Sequence, residues 1–232
     1  MGRVCDRYCL LPRKAPQAMT YDLLMRLPFL SWVLLCVVTQ SPGLTRYTNT
    51  TAFGDSIDII HIAMRLSTIA FMLLLGAAVI LRTRPSGKAS GLEPRISALV
   101  GTFMIYAIAL FPRRELSLSL ETVSTVLTLA GTVGAIVALW RLGRSFSIMA
   151  ETRQLVTSGP YRFVRHPLYL TEEIAVIGVF IQFASVWTAL LLAVQIGFQL
   201  RRMHNGELVL TVGFPEYAAY QRNTARLIPG IY

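Results

Sequence analysis

Residues 174–200 read IAVIGVFIQFASVWTALLLAVQIGFQL, an apolar run of 27 residues without a charged side chain. As one straight helix, this run would be about 40 Å long at ~1.5 Å per residue, which exceeds a hydrocarbon core of ~30 Å. It could form one tilted helix, or two short helices that turn near Ala184 and Ser185. We favour the hairpin, because it places the basic residues on both sides of the run at the same membrane face.

The rest of the chain has the same apolar character. Of its 232 residues, 54% are hydrophobic and only 15% are charged, which is too apolar for an ordinary soluble domain. Four further segments are candidate membrane spans: residues 22–39, 59–81, 96–112 and 121–140. The sequence therefore predicts an all-α integral membrane protein with about five to six transmembrane helices, the last two forming a hairpin.

Lysine and arginine are distributed unevenly between the segments that connect these spans. Four lie in residues 1–21, four in 82–95, five in 141–165 and four in the tail, against three on the other side (Arg46, Arg113 and Arg114). Because cytoplasmic loops are enriched in these residues, we expect a multi-pass protein with both termini cytoplasmic, in a bacterial inner membrane or the endoplasmic reticulum. The net charge of +10 is then mainly a topology signal, with attraction to anionic membrane lipids as a second effect.

Other classes of function find little support in the sequence. The basic residues are scattered through membrane loops, so no nucleic-acid surface is predicted. Cys5, Cys9 and Cys36 have neither the spacing of a metal site nor that of a disulfide framework, and no metal site is predicted. No Gly-x-Gly-x-x-Gly motif indicates a Rossmann domain, and nothing in the sequence indicates the oligomeric state.

The polar residues concentrate after Trp140. The stretch 159–169, GPYRFVRHPLY, places Arg162, Arg165 and His166 between apolar segments. Polar groups near a bilayer are costly, so this loop is a candidate functional site, although its arginines could also serve only to set topology. We divide the chain into a cytoplasmic segment (1–21), four transmembrane helices (22–140) and a core (141–232). The core comprises a loop (141–171), the hairpin (172–200) and a cytoplasmic tail (201–232), and the hairpin should bring loop and tail together.

Loop and tail carry a recognisable pattern. Residues 155–161 read LVTSGPY and residues 165–169 read RHPLY; the tail has Glu207, Leu210, Phe214, Tyr217 and Tyr220 before RLIP at 226–229. In this order, the motifs resemble those of the isoprenylcysteine carboxyl methyltransferases and the related phospholipid methyltransferases. The resemblance covers about residues 141–232, whereas the earlier spans match only as hydrophobic segments.

The resemblance implies an S-adenosyl-L-methionine-dependent O-methyltransferase that methylates the carboxylate of a prenylated cysteine or a similar lipid-like acceptor entering from the bilayer. It implies that Arg202 holds the acceptor carboxylate and that Glu207 belongs to an acidic pair at the catalytic site. A carboxylate is already ionised at neutral pH, so the enzyme mainly has to position the reactants, and an Arg fork suits a carboxylate. The cofactor-binding residues that it implies are Arg153, Gln154, Leu155, Val156, Tyr161, Arg165, His166, Pro167 and Tyr169.

The chain departs from the family pattern at three positions. Gly206 stands where the family usually has the first of two adjacent glutamates. Thr171 replaces a common glycine, and the spacing from Phe214 to Tyr217 is one residue shorter than usual. The missing glutamate bears most directly on activity, because it belongs to the implied acidic pair.

The sequence is also compatible with other interpretations. Residues 228–232, IPGIY, resemble the end of membrane sterol reductases, which would use NADPH, and the change at Gly206 is compatible with a non-catalytic lipid-binding homologue. His166 could merely begin a helix before Pro167. Tyr217 and Tyr220 could be interfacial anchors, and Glu172 and Glu173 could cap the helix that follows.

Overall fold

A computed structural model describes residues 26–40 and 56–230, and this part of the chain is predominantly helical, as predicted. The helices are α1 (Arg26–Gln40), α2 (Ser56–Leu81), α3 (Glu93–Phe103), α4 (Leu118–Leu142), α5 (Pro167–Phe183), α6 (Val186–Gly213) and α7 (Tyr217–Asn223). A 3₁₀ helix, Met104–Leu110, continues α3, and shorter 3₁₀ helices lie at Gly143–Ser145 and Gly159–Arg162. Two-residue strands β1 (Gly87–Lys88) and β2 (Glu151–Thr152) pair antiparallel.

Three helical stretches within the described residues are long and apolar enough to cross a membrane. They are Ile59–Leu81, Glu93–Leu110 and Leu118–Ser145, which correspond to three of the predicted spans. Helix α1 is apolar but shorter. The total of five to six spans stays a prediction, and the predicted cytoplasmic segment 1–21 lies outside the described residues.

The turn of the hairpin lies where the sequence predicts it. Helix α5 ends at Phe183 and α6 begins at Val186, with Ser185 as its N-cap in an extended conformation (φ −153°, ψ 167°). The Ser185 hydroxyl accepts a hydrogen bond from Thr188 N (3.2 Å), and Thr188 Oγ1 accepts one from Ser185 N (2.9 Å). This reciprocal cap satisfies backbone donors that a new helix exposes, so two helices form here and a single tilted helix does not.

Helix α6 continues beyond the apolar run. Residues 201–213, assigned to the tail from the sequence, are helical up to Gly213. No proline follows Ser185 until Pro215, and a residue before proline disfavours the helical conformation. Phe214 is accordingly extended, at φ −136° and ψ 108°. The extension carries Arg202 and Glu207 on a rigid helix and not on a flexible tail.

Small residues bring α4 and α5 into close contact. A Cβ atom added at Gly178 would lie 2.7 Å from Ser124 O and 2.7 Å from Thr128 N, and one at Gly131 would meet the backbone of Ala175. Close backbone approach of this kind is a common way to pack helices inside membranes. Ser124 Oγ donates to Gly178 O (2.8 Å), and Gln182 Nε2 donates to Ser124 Oγ (2.8 Å). These contacts fix the position of α5, whose N-terminus carries the loop motif.

The loop and the tail meet at one end of the helices. Val164 and Ala225 form a parallel β-bridge. Arg165 N donates to Ala225 O (2.8 Å), and His166 N donates to Arg226 O (3.2 Å). Strands β1 and β2 connect the same loop to the segment that precedes α3.

Candidate functional site

A cavity of about 140 Å³ lies between the loop after α4, the N-terminus of α5, helix α6 and helix α7. Of the predicted site residues, those that line it are Arg153, Gln154, Leu155, Val156, Tyr161, Arg165, His166, Tyr169 and Arg202. Pro167 and Glu207 are not among its lining residues. Pro167 is the buried first residue of α5, where its fixed φ suits a helix start. The roles proposed for these residues stay predictions, but nearly all of them surround one cavity.

Glu207 lies behind the cavity wall and joins loop, helix and tail. Its Oε1 accepts hydrogen bonds from Arg165 Nε (3.0 Å) and from His166 Nε2 (3.0 Å), and its Oε2 forms an ion pair with Arg226 Nη2 (3.2 Å). The side chains of all four residues are at most 14% exposed. This geometry suits a positioning residue, and the catalytic role expected from the family stays a prediction.

Charge distribution in this cluster explains its pKa shifts. Burial raises the pKa of the Glu207 carboxyl, but the hydrogen bond from His166 and the charges of Arg226 and Arg165 outweigh it, so its pKa lies below the usual value. Burial lowers the pKa of His166, and the two arginine charges add to that effect against the attraction of Glu207. The cluster is therefore an ionised carboxylate held by two guanidinium groups, with a neutral imidazole that donates from Nε2.

Arg165 also holds the tail. Its Nη1 donates to Gln221 O (2.6 Å) and to Thr224 O (3.1 Å), while its Nε is bonded to Glu207. One guanidinium thus connects three segments that are distant in sequence. Arg165 lines the cavity, but most of its donors are used within the protein.

Arg153 has unused hydrogen-bonding capacity at the cavity. Its side chain is only 1% exposed, and Nη2 forms a hydrogen-bonded ion pair with Glu151 Oε2 (2.6 Å). Its Nε and Nη1 have no hydrogen-bond partner among the described residues. Buried donors are normally satisfied, so two unsatisfied nitrogens on a cavity wall indicate an anionic or acceptor group that binds there.

Arg202 is a second buried guanidinium on the same cavity. The residue is 5% exposed, its Nε donates to Ile148 O (3.1 Å), and its guanidinium carbon lies 4.7 Å from the ring centre of Tyr169. Among the described residues no carboxylate lies within 4.0 Å of its nitrogens. The stacked tyrosine holds the guanidinium in place without neutralising its charge.

Aromatic side chains form much of the remaining wall. The rings of His166 and Tyr169 stack at 5.4 Å with an interplanar angle of 10°. Tyr220 donates its hydroxyl to Tyr161 O. Tyr217 is 1% exposed, and its hydroxyl has no hydrogen-bond partner among the described residues. Burial raises the pKa of Tyr220 to about 12, so this hydroxyl stays protonated. The cavity position of both tail tyrosines favours a binding role over interfacial anchoring.

Some lining residues were not anticipated from the sequence. These are mainly the segment 145–151, which precedes the recognised motif; Gly206 and Leu210 were noted in the tail pattern but not predicted as site residues. The segment 145–151 has no distinctive residue pattern, so it could not be found by motif. The cavity position of Gly206 and Leu210 could have been predicted, because they follow Arg202 at intervals of four residues and therefore share its helix face.

The central part of the chain matches a known protein family. Residues 112–203 match the family model described as phospholipid methyltransferase, which confirms the resemblance over the loop motif and the hairpin. The match begins before the segment expected from the motifs and ends at residue 203, before Glu207 and most of the tail.

Two curated relatives are similar over about half of this chain. The nickel-cobalt-cadmium resistance protein NccN of Alcaligenes xylosoxydans xylosoxydans is 31% identical over 116 residues, which cover 49% of this chain and 52% of the relative. The cobalt-zinc-cadmium resistance protein CzcN of Cupriavidus metallidurans is 31% identical over 112 residues, covering 46% and 51%. The chain spans about half the length of the curated relatives it matches.

The solved structure of the eukaryotic intramembrane Ras methyltransferase ICMT (isoprenylcysteine carboxyl methyltransferase) is similar to this protein. The alignment covers 91% of this chain and 77% of the ICMT chain, at a TM-score of 0.49 and 18% sequence identity.

Within residues 26–40 and 56–230, no group of three or more His, Cys, Asp or Glu side chains is arranged to hold a metal ion.

Proposed function

We propose that this protein is an S-adenosyl-L-methionine-dependent membrane O-methyltransferase acting on the carboxylate of a prenylated cysteine or a similar lipid-like acid. The observation that carries the proposal is a pair of buried guanidinium groups, Arg153 and Arg202, on one cavity within the segment matched to phospholipid methyltransferases. Two anionic groups, one on the cofactor and one on the acceptor, would account for both.

The wall of the cavity fits this cofactor. S-adenosyl-L-methionine, when bound, supplies a methyl group activated by a sulfonium, and its amino-acid end carries a carboxylate. The unpartnered Nε and Nη1 of Arg153 would receive that carboxylate. Tyr161 and the stacked pair of His166 and Tyr169 provide flat faces suited to an adenine or a sulfonium. Gln154, Leu155 and Val156 would contribute backbone contacts, while Arg165 and Pro167 hold the loop.

Arg202 would hold the acceptor carboxylate. Its guanidinium is oriented by Ile148 O and by the Tyr169 ring, so little reorganisation is needed on binding. A carboxylate acceptor is ionised at neutral pH, so no residue has to remove a proton. The contribution of these residues is alignment, which is worth on the order of 7–11 kcal/mol in well-oriented reactions. Glu207 would act indirectly, through His166 and Arg165.

The proposed topology supplies the acceptor from the bilayer. With both termini cytoplasmic, the cavity lies at the cytoplasmic face, and the apolar surfaces of the helices face lipid. An acceptor with a long apolar tail would remain in the membrane while its carboxylate reaches Arg202. Membrane lipids are then both the solvent and the source of the substrate.

Ligand titration of the purified protein in detergent tests the function. S-adenosyl-L-methionine, S-adenosylhomocysteine and NADPH are titrated separately, and farnesyl-cysteine is then incubated with radiolabelled methyl donor. We expect both adenosyl ligands to bind and label to reach the acceptor. Binding of NADPH alone would favour a reductase, and binding of none of the three would favour a non-catalytic lipid-binding protein.

Two variants separate the proposed roles. Arg153→Gln should weaken binding of the methyl donor about tenfold or more, because it removes a charged partner of the carboxylate. Arg202→Gln should leave binding of the donor nearly unchanged and raise the KM for the acceptor. The exposed Glu216→Gln serves as the control. Equal effects of both arginine variants on donor binding would contradict the assignment.

A further inference from the structure

We propose that a second polar site, buried between α3, α5 and α6, binds a hydrogen-bond donor of the lipid acceptor, a hydroxyl or N–H group distant from its carboxylate. This site, the polar recess, consists of Glu173 on α5 with Gln195 and Gln199 on α6. The inference rests on the proposed function, because it treats Arg202 as the anchor of the acceptor carboxylate.

One side of the recess belongs to a row of buried polar side chains on α6. Gln195, Gln199 and Arg202 succeed one another at spacings of four and three residues, so they lie on one helix face. They are 2%, 3% and 5% exposed. Amides buried among apolar membrane helices are costly unless they are bonded, so each donor and acceptor of this row needs a partner.

The recess contains two acceptor atoms without a donor. Gln195 Nε2 donates to Glu173 Oε1 (2.9 Å) and to Gly101 O (3.3 Å). Glu173 Oε2 and Gln195 Oε1 are buried and have no hydrogen-bond partner among the described residues. Both of these oxygens accept hydrogen bonds, and the amide donor beside them is already used. With Glu173 as a carboxylate, a ligand that completes the recess is a donor.

One hydrogen bond links the recess to a residue of the cavity wall. Arg202 Nη1 donates to Gln199 Oε1 (3.5 Å), which joins the cavity wall to the recess. Gly101 of α3 allows the close approach, because a Cβ there would lie 3.1 Å from the same Gln199 oxygen. Arg202 and Gln195 are seven residues apart, or about 10 Å along a helix at ~1.5 Å per residue.

This separation defines the class of acceptor. It would be a long-chain acid with a hydroxyl or N–H group about 10 Å from its carboxylate, near the middle of an apolar chain. Such a donor would bond Glu173 Oε2 or Gln195 Oε1 while the carboxylate lies at Arg202. A water molecule could satisfy the same two atoms and is the competing occupant.

Binding of three radiolabelled acids to the purified protein tests the inference. The acids are stearate, 10-hydroxystearate and 2-hydroxystearate, which differ only in the presence and position of a hydroxyl group. We expect 10-hydroxystearate to bind about tenfold more tightly than stearate, the effect of one well-placed buried hydrogen bond. 2-Hydroxystearate should bind like stearate, because its hydroxyl would remain near Arg202.

Substitutions in the recess test whether its residues cause the preference for 10-hydroxystearate. Glu173→Gln supplies a donor from within the protein, and Gln195→Met removes the amide, so each should abolish the preference for 10-hydroxystearate. Glu216→Gln is the control, because this exposed carboxylate lies outside the recess and outside the contact between α4 and α5. Equal binding of the three acids by the wild type, or a preference that persists in both recess variants, would overturn the proposal. The wild-type comparison decides the question even where a variant does not fold.

Methyl transfer measured in parallel distinguishes this inference from the proposed function. Transfer to stearate and 10-hydroxystearate with equal KM would support the methyltransferase and exclude the recess. A hydroxyl preference in direct binding without methyl transfer to any acid would support the recess as a lipid site and exclude the proposed activity.

Discussion

Glu207 is the residue on which the polar contacts of loop, hairpin and tail converge. Its carboxylate bonds or pairs with Arg165, His166 and Arg226, and these partners come from two segments that the sequence separates by the whole hairpin. Breaking a buried ion pair leaves charges without compensation, which is more costly than losing an exposed pair. We therefore expect substitution of Glu207 to lower the stability of the folded protein.

Glu207→Gln should destabilise the protein by about 3–5 kcal/mol, because two nearly buried guanidinium groups lose their counter-ion. Thermal unfolding in detergent measures the change. Glu216→Gln, which alters an exposed carboxylate outside the cluster, should stay within about 0.5 kcal/mol of the wild type. Equal midpoints for the two variants would show that the cluster contributes nothing to stability.

The cluster also predicts how stability depends on pH. The folded state holds His166 neutral by lowering its pKa, so an unfolded chain takes up a proton more readily as pH falls below about 6.5. The lowered pKa of Glu207 adds a further loss at more acidic pH, once that carboxylate is protonated. We expect a constant unfolding midpoint above about pH 7 and a decline below it. In His166→Gln the decline should begin only in the carboxylate range, and an unchanged onset would contradict the assignment.

Gly206 offers a further test on the cavity wall. A Cβ atom there would meet nothing within 4 Å, so Gly206→Glu can be accommodated. The new carboxylate would lie one turn from Arg202 and compete with an acceptor for that guanidinium. We expect KM for the acceptor to rise about tenfold, with Gly206→Ala as the control that keeps the backbone change without the charge. Turnover that rises instead would show that the absent acid limits the reaction.

At the scale of elements, the contact between α4 and α5 sets where the loop motif stands. The two helices approach through glycines, and Ser124 bonds both Gly178 O and Gln182. Helix α5 begins at Pro167, so any displacement of its axis also displaces His166 and Tyr169. Packing deep in the helices and geometry at the site are therefore linked.

Gly178→Ala should separate α4 from α5, since its Cβ would collide with Ser124 O and Thr128 N. We expect a loss of about 1–3 kcal/mol, typical of overpacking, together with weaker binding of the methyl donor. Gly197→Ala is the matched control, because a Cβ at that helix position meets nothing within 4 Å. Identical behaviour of the two variants in thermal unfolding would contradict the role of this contact.

At the scale of the whole molecule, the site exists only while the tail is held against the loop. Helix α7 contributes Tyr217 and Tyr220 to the cavity, and the residues after it contribute Ala225 O and the Arg226 charge. Arg165 donates to two tail carbonyls, and these two hydrogen bonds form only in this arrangement.

Truncation after Gly213 should abolish binding of the methyl donor while leaving the helical content of the remaining chain nearly unchanged. The reason is that the cavity loses one wall, whereas α2 and α5 pack on α4 and α3 packs on α6, all of which the truncated chain retains. Circular dichroism in detergent and titration with S-adenosylhomocysteine measure the two properties separately. Retained affinity in the truncated protein would show that the tail takes no part in the site.

The amino-acid sequence is enough to predict the helical class, the membrane character, the turn at Ala184 and Ser185, and nine of the residues that line the cavity. These properties depend on local composition, on capping chemistry and on motifs within short segments. The three-dimensional packing was needed to show that α6 continues to Gly213, that Glu207 lies behind the cavity wall, and that Arg153 and the polar recess hold atoms without partners among the described residues. Whether a hydrogen-bonding group is satisfied depends on its neighbours in space, and the hairpin brings together residues that lie tens of positions apart in the sequence.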